Sequence, residues 1–472
     1  MNTEQKQSSS GSSLISFRLA NSLMRSSKDD RRINALAILA FTVSMGIFLT
    51  VIGGFHAFVI RSQEAKTLFT NPITQEMASS YIIYAGIAIA LIIAPLATLS
   101  AHAARLTLRR RDRRLSTLRL AGATQAQTTL LTVMESARQA LIGSLLGCLL
   151  YLTCIPLVRL IVFQGLPFSF SQLWVGFPIM IAAVVAITLI CMLSSLISLR
   201  KVNISPLGTS MRVGNPQMSK ARIAVGAVLF AFVAFIFTRR AGGGQDMLVK
   251  VLIAIAGVSI IVGVINLIAP LFISLFAKLL VLHPINASWM IGLRRLIDDP
   301  KRAWRSSAGV GLAVFVCAIA AAAEVTSAGG SNKPSYDQAM QIYMLDIGTG
   351  GRLTLAFVSI LAAVSAMVTQ SAMVYDQADQ YLSLSMEGAD RKVLDKARRV
   401  ETVTPLLMVT IICTILGLLL LSTAGMQTMV SPTFLPSYLL MVAASVALVI
   451  FGGMASRIAS RQVSARMVRQ DD

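Results

Sequence analysis

Long apolar runs recur along the whole chain, each separated from the next by a short cluster of basic and polar residues. About 20 mostly apolar residues carry a helix across the hydrocarbon layer. Ten segments reach or approach that length: 33–58, 81–103, 140–158, 174–199, 223–238, 251–276, 306–325, 353–373, 402–422 and 437–454. The fifth is the shortest, and Arg239 and Arg240 at its end belong at an interface. The pattern predicts an all-α polytopic membrane protein with about ten transmembrane helices. The first apolar run, 33–60, is longer than the roughly 7–15 residues of a signal-peptide core and follows a hydrophilic stretch, so it is expected to be a retained span. Before it, 8–13 is Ser/Gly-rich and expected to be disordered. The stretch 14–24 alternates apolar with basic and polar residues, as an interfacial helix on the inner leaflet would.

Basic residues orient these spans. With the N-terminus inside, the inner segments hold 34 of the 42 Lys and Arg residues. The outer segments hold Arg61, Lys66, Arg159, Arg239, Arg240, Lys250, Lys333 and Arg352. That asymmetry places both termini in the cytoplasm and favours an even number of spans. The longest outer segments, 61–80 and 326–351, are read as short loops that cannot build a sizeable core.

Composition agrees. The chain is 55% hydrophobic and 13% charged, against about 25% charged in soluble domains. Its net charge of +21 would suggest nucleic acid on a soluble surface. Here the basic residues flank apolar runs, so the expected partner is the lipid bilayer and no nucleic acid. Cys148, Cys154, Cys191, Cys317 and Cys413 all lie in apolar runs with no CxxC pair, as small buried side chains would.

Two stretches repeat one another. Leu115-Ser-Thr-Leu-Arg-Leu-Ala-Gly-Ala-Thr124 follows the second span, and Tyr381-Leu-Ser-Leu-Ser-Met-Glu-Gly-Ala-Asp390 follows the eighth. Aligning Gly122 with Gly388 also aligns Ala123 with Ala389, Leu118 with Leu384 and Glu135 with Glu401. Lys28-Asp-Asp-Arg-Arg32 precedes span one much as Asp298-Asp-Pro-Lys-Arg302 precedes span seven. The chain divides accordingly into an N-tail (1–32), a first four-helix repeat (33–199), a cytoplasmic linker (200–222), a central helix pair (223–276), an interfacial helix (277–305), a second four-helix repeat (306–456) and a C-tail (457–472). Six spans separate the copies, so the repeat is parallel, with its pseudo-twofold axis along the membrane normal. The alternative is chance similarity between two amphipathic cytoplasmic loops.

These motifs resemble the FtsX-like permease family of ABC systems, the MacB/LolC-type or type VII mechanotransmission class. Arg113-Arg-Leu-Ser-Thr-Leu-Arg-Leu-Ala-Gly-Ala-Thr124 is similar to the family's segment after its second helix. Ser198-Leu-Arg-Lys-Val-Asn-Ile-Ser-Pro-Leu207 is similar to its exit from the fourth helix. Ile291-Gly-Leu-Arg-Arg-Leu-Ile-Asp-Asp-Pro-Lys-Arg302 is similar to its amphipathic N-terminal helix. Ten spans in one chain resembles the bacitracin-resistance arrangement, although the large extracytoplasmic domain of familiar members has no counterpart here. The resemblance implies a bacterial plasma-membrane permease subunit, not an enzyme, served by two copies of a separate ABC ATPase that holds ATP and Mg. An extracytoplasmic or accessory membrane protein is a further partner it implies. The function expected is efflux of an amphiphilic substrate such as a peptide, lipid or hydrophobic antibiotic. The alternatives are a signalling subunit that activates an outer partner such as a cell-wall hydrolase, or an ion-driven transporter.

No cofactor is expected in the chain itself. A phosphate-binding GxxxxGK[ST] loop is missing from the sequence, and the clusters Gly242-Gly-Gly244 and Gly348-Thr-Gly-Gly351 read as turns. No Ser/His/Asp set or carboxylate pair presents itself, and His56, His102 and His283 lie far apart. The ATPase-coupling candidates are Arg119, Leu120, Gly122, Ala123 and Thr124, with Met386, Glu387, Gly388, Ala389 and Asp390 in the second copy. A short helix ended by glycine would dock into the ATPase; otherwise each glycine serves a tight turn. Glu135 and Arg138, one turn apart, either cap the third span or meet the partner, and Glu401 is the counterpart of Glu135. Glu324 lies near the outer end of span seven, facing a cavity or the interface. Gly143 and Gly147 allow close helix approach, and Pro95 is placed to kink span two.

Overall fold

The computed structural model describes residues 28–109, 124–203, 269–283, 286–301, 334–376, 391–423 and 434–455, with scattered positions between 303 and 317. The described residues are about 91% helical. The first bundle contains α1 (Lys28–Gln63), two short helices α2 (Ala65–Leu68) and α3 (Pro72–Met77), and α4 (Ser80–Arg109). After α5 (Gln125–Arg159) come a hairpin of β1 (Val162–Phe163) and β2 (Leu166–Pro167), α6 (Phe170–Leu173) and α7 (Gly176–Asn203). Later in the chain are α8 (Ala269–Val281), α9 (Ala287–Asp298), α10 (Pro334–Asp376), α11 (Arg391–Thr423) and α12 (Phe434–Ala455).

Helix α1 is the hub of the first bundle, packed on α4 and α5, while α5 also packs on α7. Small residues set the closest contact. A methyl group added at Gly143 of α5 would lie 2.5 Å from Phe41 Cβ and 2.8 Å from the carbonyl oxygen of Ile38. One turn on, a methyl at Gly147 would lie 2.5 Å from Met45 Cβ and 2.8 Å from Thr42 O. Two backbones meet at van der Waals range only where no Cβ intervenes, as in small-xxx-small contacts between membrane helices. The spacing read from the sequence does form a helix–helix seam. Opposite it, Leu141, Leu145 and Leu149 of α5 and Ile181, Val185, Leu189 and Leu193 of α7 are exposed. Such a contiguous apolar face is too large for an ordinary water-facing surface; against lipid it is the expected exterior.

Helix α10 joins the bundles. It packs along α4 on one side and α12 on the other. Against α12 the approach is backbone to backbone, because a methyl at Gly452 would collide with the carbonyl oxygen of Ala363. Ser359 and Ser445 hydroxyls share a 2.6 Å hydrogen bond across the same pair. Helix α9 is amphipathic as expected. It buries Ser288, Gly292, Leu293 and Leu296, lies on α11 and forms an ion pair from Arg295 to Glu401 at 3.6 Å.

Among the described residues, five helices are long and apolar enough to cross a membrane: Asn34–Gln63, Pro72–Ala97, Gln127–Arg159, Phe170–Leu193 and Gln338–Ser371. They correspond to expected spans one to four and eight. Span ten appears as a shorter apolar helix, Tyr438–Met454, and the end of span six as Ala269–Val281. Span nine falls within α11, and span seven is helical where it is described. Span five lies outside the described residues, as do the proposed interfacial helix at 14–24 and Gly242–Gly244.

Four expectations need correction. The stretch 326–351 is not simply a loop, because 334–351 is the start of α10. Gly348-Thr-Gly-Gly351 is therefore helical rather than a turn. Three glycines weaken a helix by roughly 1 kcal/mol each relative to alanine, but packing against α4 outweighs that preference. The stretch 61–80 folds as the end of α1, α2, α3 and the start of α4. There, Asn71 caps α3 by accepting from the Ile73 amide, with Pro72 at the first helical position. The third span starts at Gln125, well before 140, because Thr124 and Gln127 form a reciprocal capping box. Helix α4 continues through Pro95.

Candidate functional site

The turn between β1 and β2 has two residues, Gln164 (φ 58°) and Gly165 (φ 75°). Two consecutive left-handed residues are what a tight two-residue hairpin requires. The register pairs Val162 with Pro167 and Phe163 with Leu166, and the hairpin presents the backbone carbonyls of Phe163, Leu166 and Pro167 toward α1.

Arg61, in the last turn of α1, meets them. Its side chain is 1% exposed. Nε donates to Gln172 Oε1 at 3.1 Å. One terminal nitrogen donates to Phe163 O at 2.7 Å and, more weakly, to Gln164 Oε1 at 3.5 Å. The other donates to Leu166 O at 3.2 Å and Pro167 O at 2.7 Å. All five N–H groups of the guanidinium are thereby used. The cation also lies 4.2 Å above the centre of the Phe168 ring. A buried arginine is tolerated when every donor is matched, and here one arginine organises the hairpin, α6 and α1 together.

Beside it, Asp346 of α10 is 7% exposed. Its Oδ2 accepts from the Tyr81 hydroxyl of α4 at 2.7 Å and from the Gln164 backbone amide at 2.7 Å. Oδ1 accepts neither bond and has no hydrogen-bond partner among the described residues. Arg61 is close enough to interact electrostatically with Asp346 but forms no direct ion pair with it. One carboxylate thus ties α10 to both α4 and the hairpin. Aromatic rings surround the tie: Phe58 stacks on Tyr81 at 5.4 Å, Tyr343 meets Tyr81 edge-on at 5.4 Å, and the Tyr343 hydroxyl donates to that of Tyr84 at 3.0 Å.

Immediately beyond this cluster lies a cavity of about 180 Å³ between α1, α4 and α10. Its walls are mostly apolar, including Phe55, Phe58, Ala88, Ile92 and Phe357, with Asp346 and Tyr81 at the polar edge. Gly54 and Gly350 line opposite walls, and a methyl group built on either meets nothing within 4 Å. The arrangement can hold an apolar group and present one carboxylate oxygen to its polar end. Among the described residues, no three metal-ligating side chains come together.

The candidates named from the sequence lie elsewhere. Arg119, Leu120, Gly122, Ala123, Met386, Glu387, Gly388, Ala389 and Asp390 are outside the described residues, as is Glu324. Thr124 is exposed and caps α5. Glu135 is half-buried and Arg138 exposed, one turn apart near the start of α5. Glu401 meets Arg295. His56 lies near the hairpin end, its Nδ1 3.0 Å from Gln172 O.

Arg61 and Asp346 were not singled out as a site; Arg61 counted only as an outer charge. The available signal was spacing: Ala339, Tyr343, Asp346, Ile347 and Gly350 continue the helical period of the eighth span toward the N-terminus. An ionisable residue on such a stripe is a functional candidate in its own right.

Residues 103–204 match the family model described as FtsX-like permease C-terminal. No curated protein matches the chain. The match covers the end of α4, the segment around Gly122, and α5 to α7. It supports the FtsX-like permease family and, with the apolar helices, a multi-pass membrane subunit of the ABC permease type.

Proposed function

We propose that the chain is the membrane-spanning subunit of a bacterial ABC exporter, sitting in the plasma membrane with both termini in the cytoplasm. It couples ATP hydrolysis on two separate ATPase subunits, which hold ATP and Mg, to extrusion of an amphiphilic substrate. Two parallel four-helix repeats flank a central helix pair. The segments centred on Gly122 and Gly388 dock on the ATPases, and closure of those subunits moves the helices that follow, α5 and α11. The hairpin end of the bundle is then the outer face.

The observation that carries this reading is the family match over 103–204, which includes the Gly122 segment. Support comes from the rigid continuity of α5: a capping box at Thr124 starts it, and the Gly143–Gly147 seam fixes it to α1. Motion delivered at Thr124 is transmitted through close-packed backbone. The apolar cavity near Asp346 favours an amphiphile over a polar solute.

The test is purification of the tagged full chain from its native membrane. A co-purifying ATPase chain with a phosphate-binding loop is expected, and it should be lost when 113–124 and 381–390 are scrambled together. Intact assembly after scrambling, or substrate movement by the purified chain without any ATPase, overturns the proposal.

A further inference from the structure

We infer that the cavity between α1, α4 and α10 is a binding site for one short apolar tail or ring whose head donates a hydrogen bond to Asp346 Oδ1. The site admits hydroxyl, amide or ammonium heads and rejects anionic ones. It rests on the permease reading only for its physiological use, as the place where an amphiphile is held before extrusion.

Size comes first. A dry apolar cavity of about 150 Å³ holds benzene, so 180 Å³ suits one ring or a short stretch of a single chain, not a two-tailed lipid. Apolar lining gives no preference over the bilayer, because lipid tails are as apolar as leucine. Selection must come from the polar edge. Asp346 lines the cavity, Arg61 lies outside the lining in the adjoining cluster, and their states differ. Arg61 has spent all five N–H groups on Gln172, Gln164 and three backbone carbonyls. It has no donor left for a carboxylate or phosphate. Asp346 uses one oxygen for Tyr81 and Gln164 and leaves the other without a partner among the described residues. Gln164 Nε2 is an unpartnered donor, but it is buried and outside the lining; the unmet group in the lining is an acceptor, and in low dielectric an acceptor facing an anion is strongly unfavourable. Tyr81 and Tyr84, both in the lining, bring hydroxyls beside the same head.

The two open glycines make the test safe for folding. Phenylalanine at Gly54 or Gly350 enters empty space, where a Cβ meets nothing within 4 Å, and replaces a helix-weakening residue. The experiment uses the full chain in lipid nanodiscs, without ATPase, photolabelled by an octanol carrying a diazirine and mapped by mass spectrometry. Adducts are expected on 50–58, 81–92 and 346–357. Excess n-octanol and n-octylammonium should reduce them at least tenfold, and octanoate should not. Gly54→Phe and Gly350→Phe should each abolish labelling there while leaving the melting midpoint unchanged. Asp346→Leu should erase the preference of octanol over octanoate. Labelling spread over the exposed faces of α5 and α7 overturns the site, and so does equal protection by octanoate. If either glycine variant unfolds, competition on the unmodified chain decides. Because no ATPase is present, failure here leaves the docking experiment intact, and failure there leaves this result standing.

Discussion

Replacing Arg61 with methionine keeps an unbranched apolar stem out to the position of Nε and removes the five donors. Three backbone carbonyls, of Phe163, Leu166 and Pro167, and the Gln172 side-chain oxygen then lose bonds of 2.7–3.2 Å. Each buried polar group left unsatisfied costs about 1–3 kcal/mol. The costs do not simply add, because Gln172 Oε1 keeps its bond from the Ser169 amide and the hairpin can open and hydrate. The relevant scale is the roughly 3–5 kcal/mol lost when one partner of a buried charged cluster is deleted. At about 1.4 kcal/mol per decade, that shifts the opening equilibrium of the hairpin by roughly two to three and a half orders of magnitude. Hydrogen exchange on the peptide spanning 160–175 reads this directly, and detergent denaturation in mixed micelles reads any global share. Arg61→Lys keeps the charge but supplies three donors from a single point, so it should fall between. A change of less than tenfold in exchange protection for Arg61→Met would show that the guanidinium does not organise the hairpin.

Overpacking at the α1/α5 seam is the next expectation. Gly147→Leu should destabilise the chain by about 1–3 kcal/mol or more, measured by the same denaturation, and Leu145→Ala on the exposed face should change it little. A double-mutant cycle of Tyr81→Phe and Asp346→Asn should give a coupling energy of about 1–2 kcal/mol; zero coupling in hydrogen exchange of α4 and α10 would deny the tie. Arg295→Gln, which breaks the partly exposed pair with Glu401, should cost no more than about 1 kcal/mol by thermal denaturation.

The sequence made the helices of the first bundle legible because long uninterrupted apolar runs have few other solutions in water or lipid. The amphipathic α9 and the Gly143–Gly147 seam were equally readable, since both are periodic. The tie between Arg61 and Asp346 was not. It joins residues far apart in the chain, and its acceptors on the hairpin are backbone carbonyls, which carry no residue identity. The start of α10 was misread because Gly348, Gly350 and Gly351 suggest a turn locally. Only the neighbouring α4 favours the helix. Thr124 was noticed as part of a repeat, whereas its capping role depended on Gln127, three residues on.

Helix α10 has 43 residues, which at 1.5 Å per residue makes a rod of about 65 Å, roughly twice the hydrocarbon thickness. Asp346 stands about 18 Å from one tip and about 45 Å from the other. While the carboxylate holds Tyr81 and the Gln164 amide, that point is a fulcrum: a swing at Asp376 returns at Pro334 about 2.5 times smaller and in the opposite sense. Once those two bonds part, that pivot is gone, and the same push would turn the rod about its contacts with α12 at Ser359 and Ala363. The two gestures leave different signatures in distances measured between spin labels at its ends.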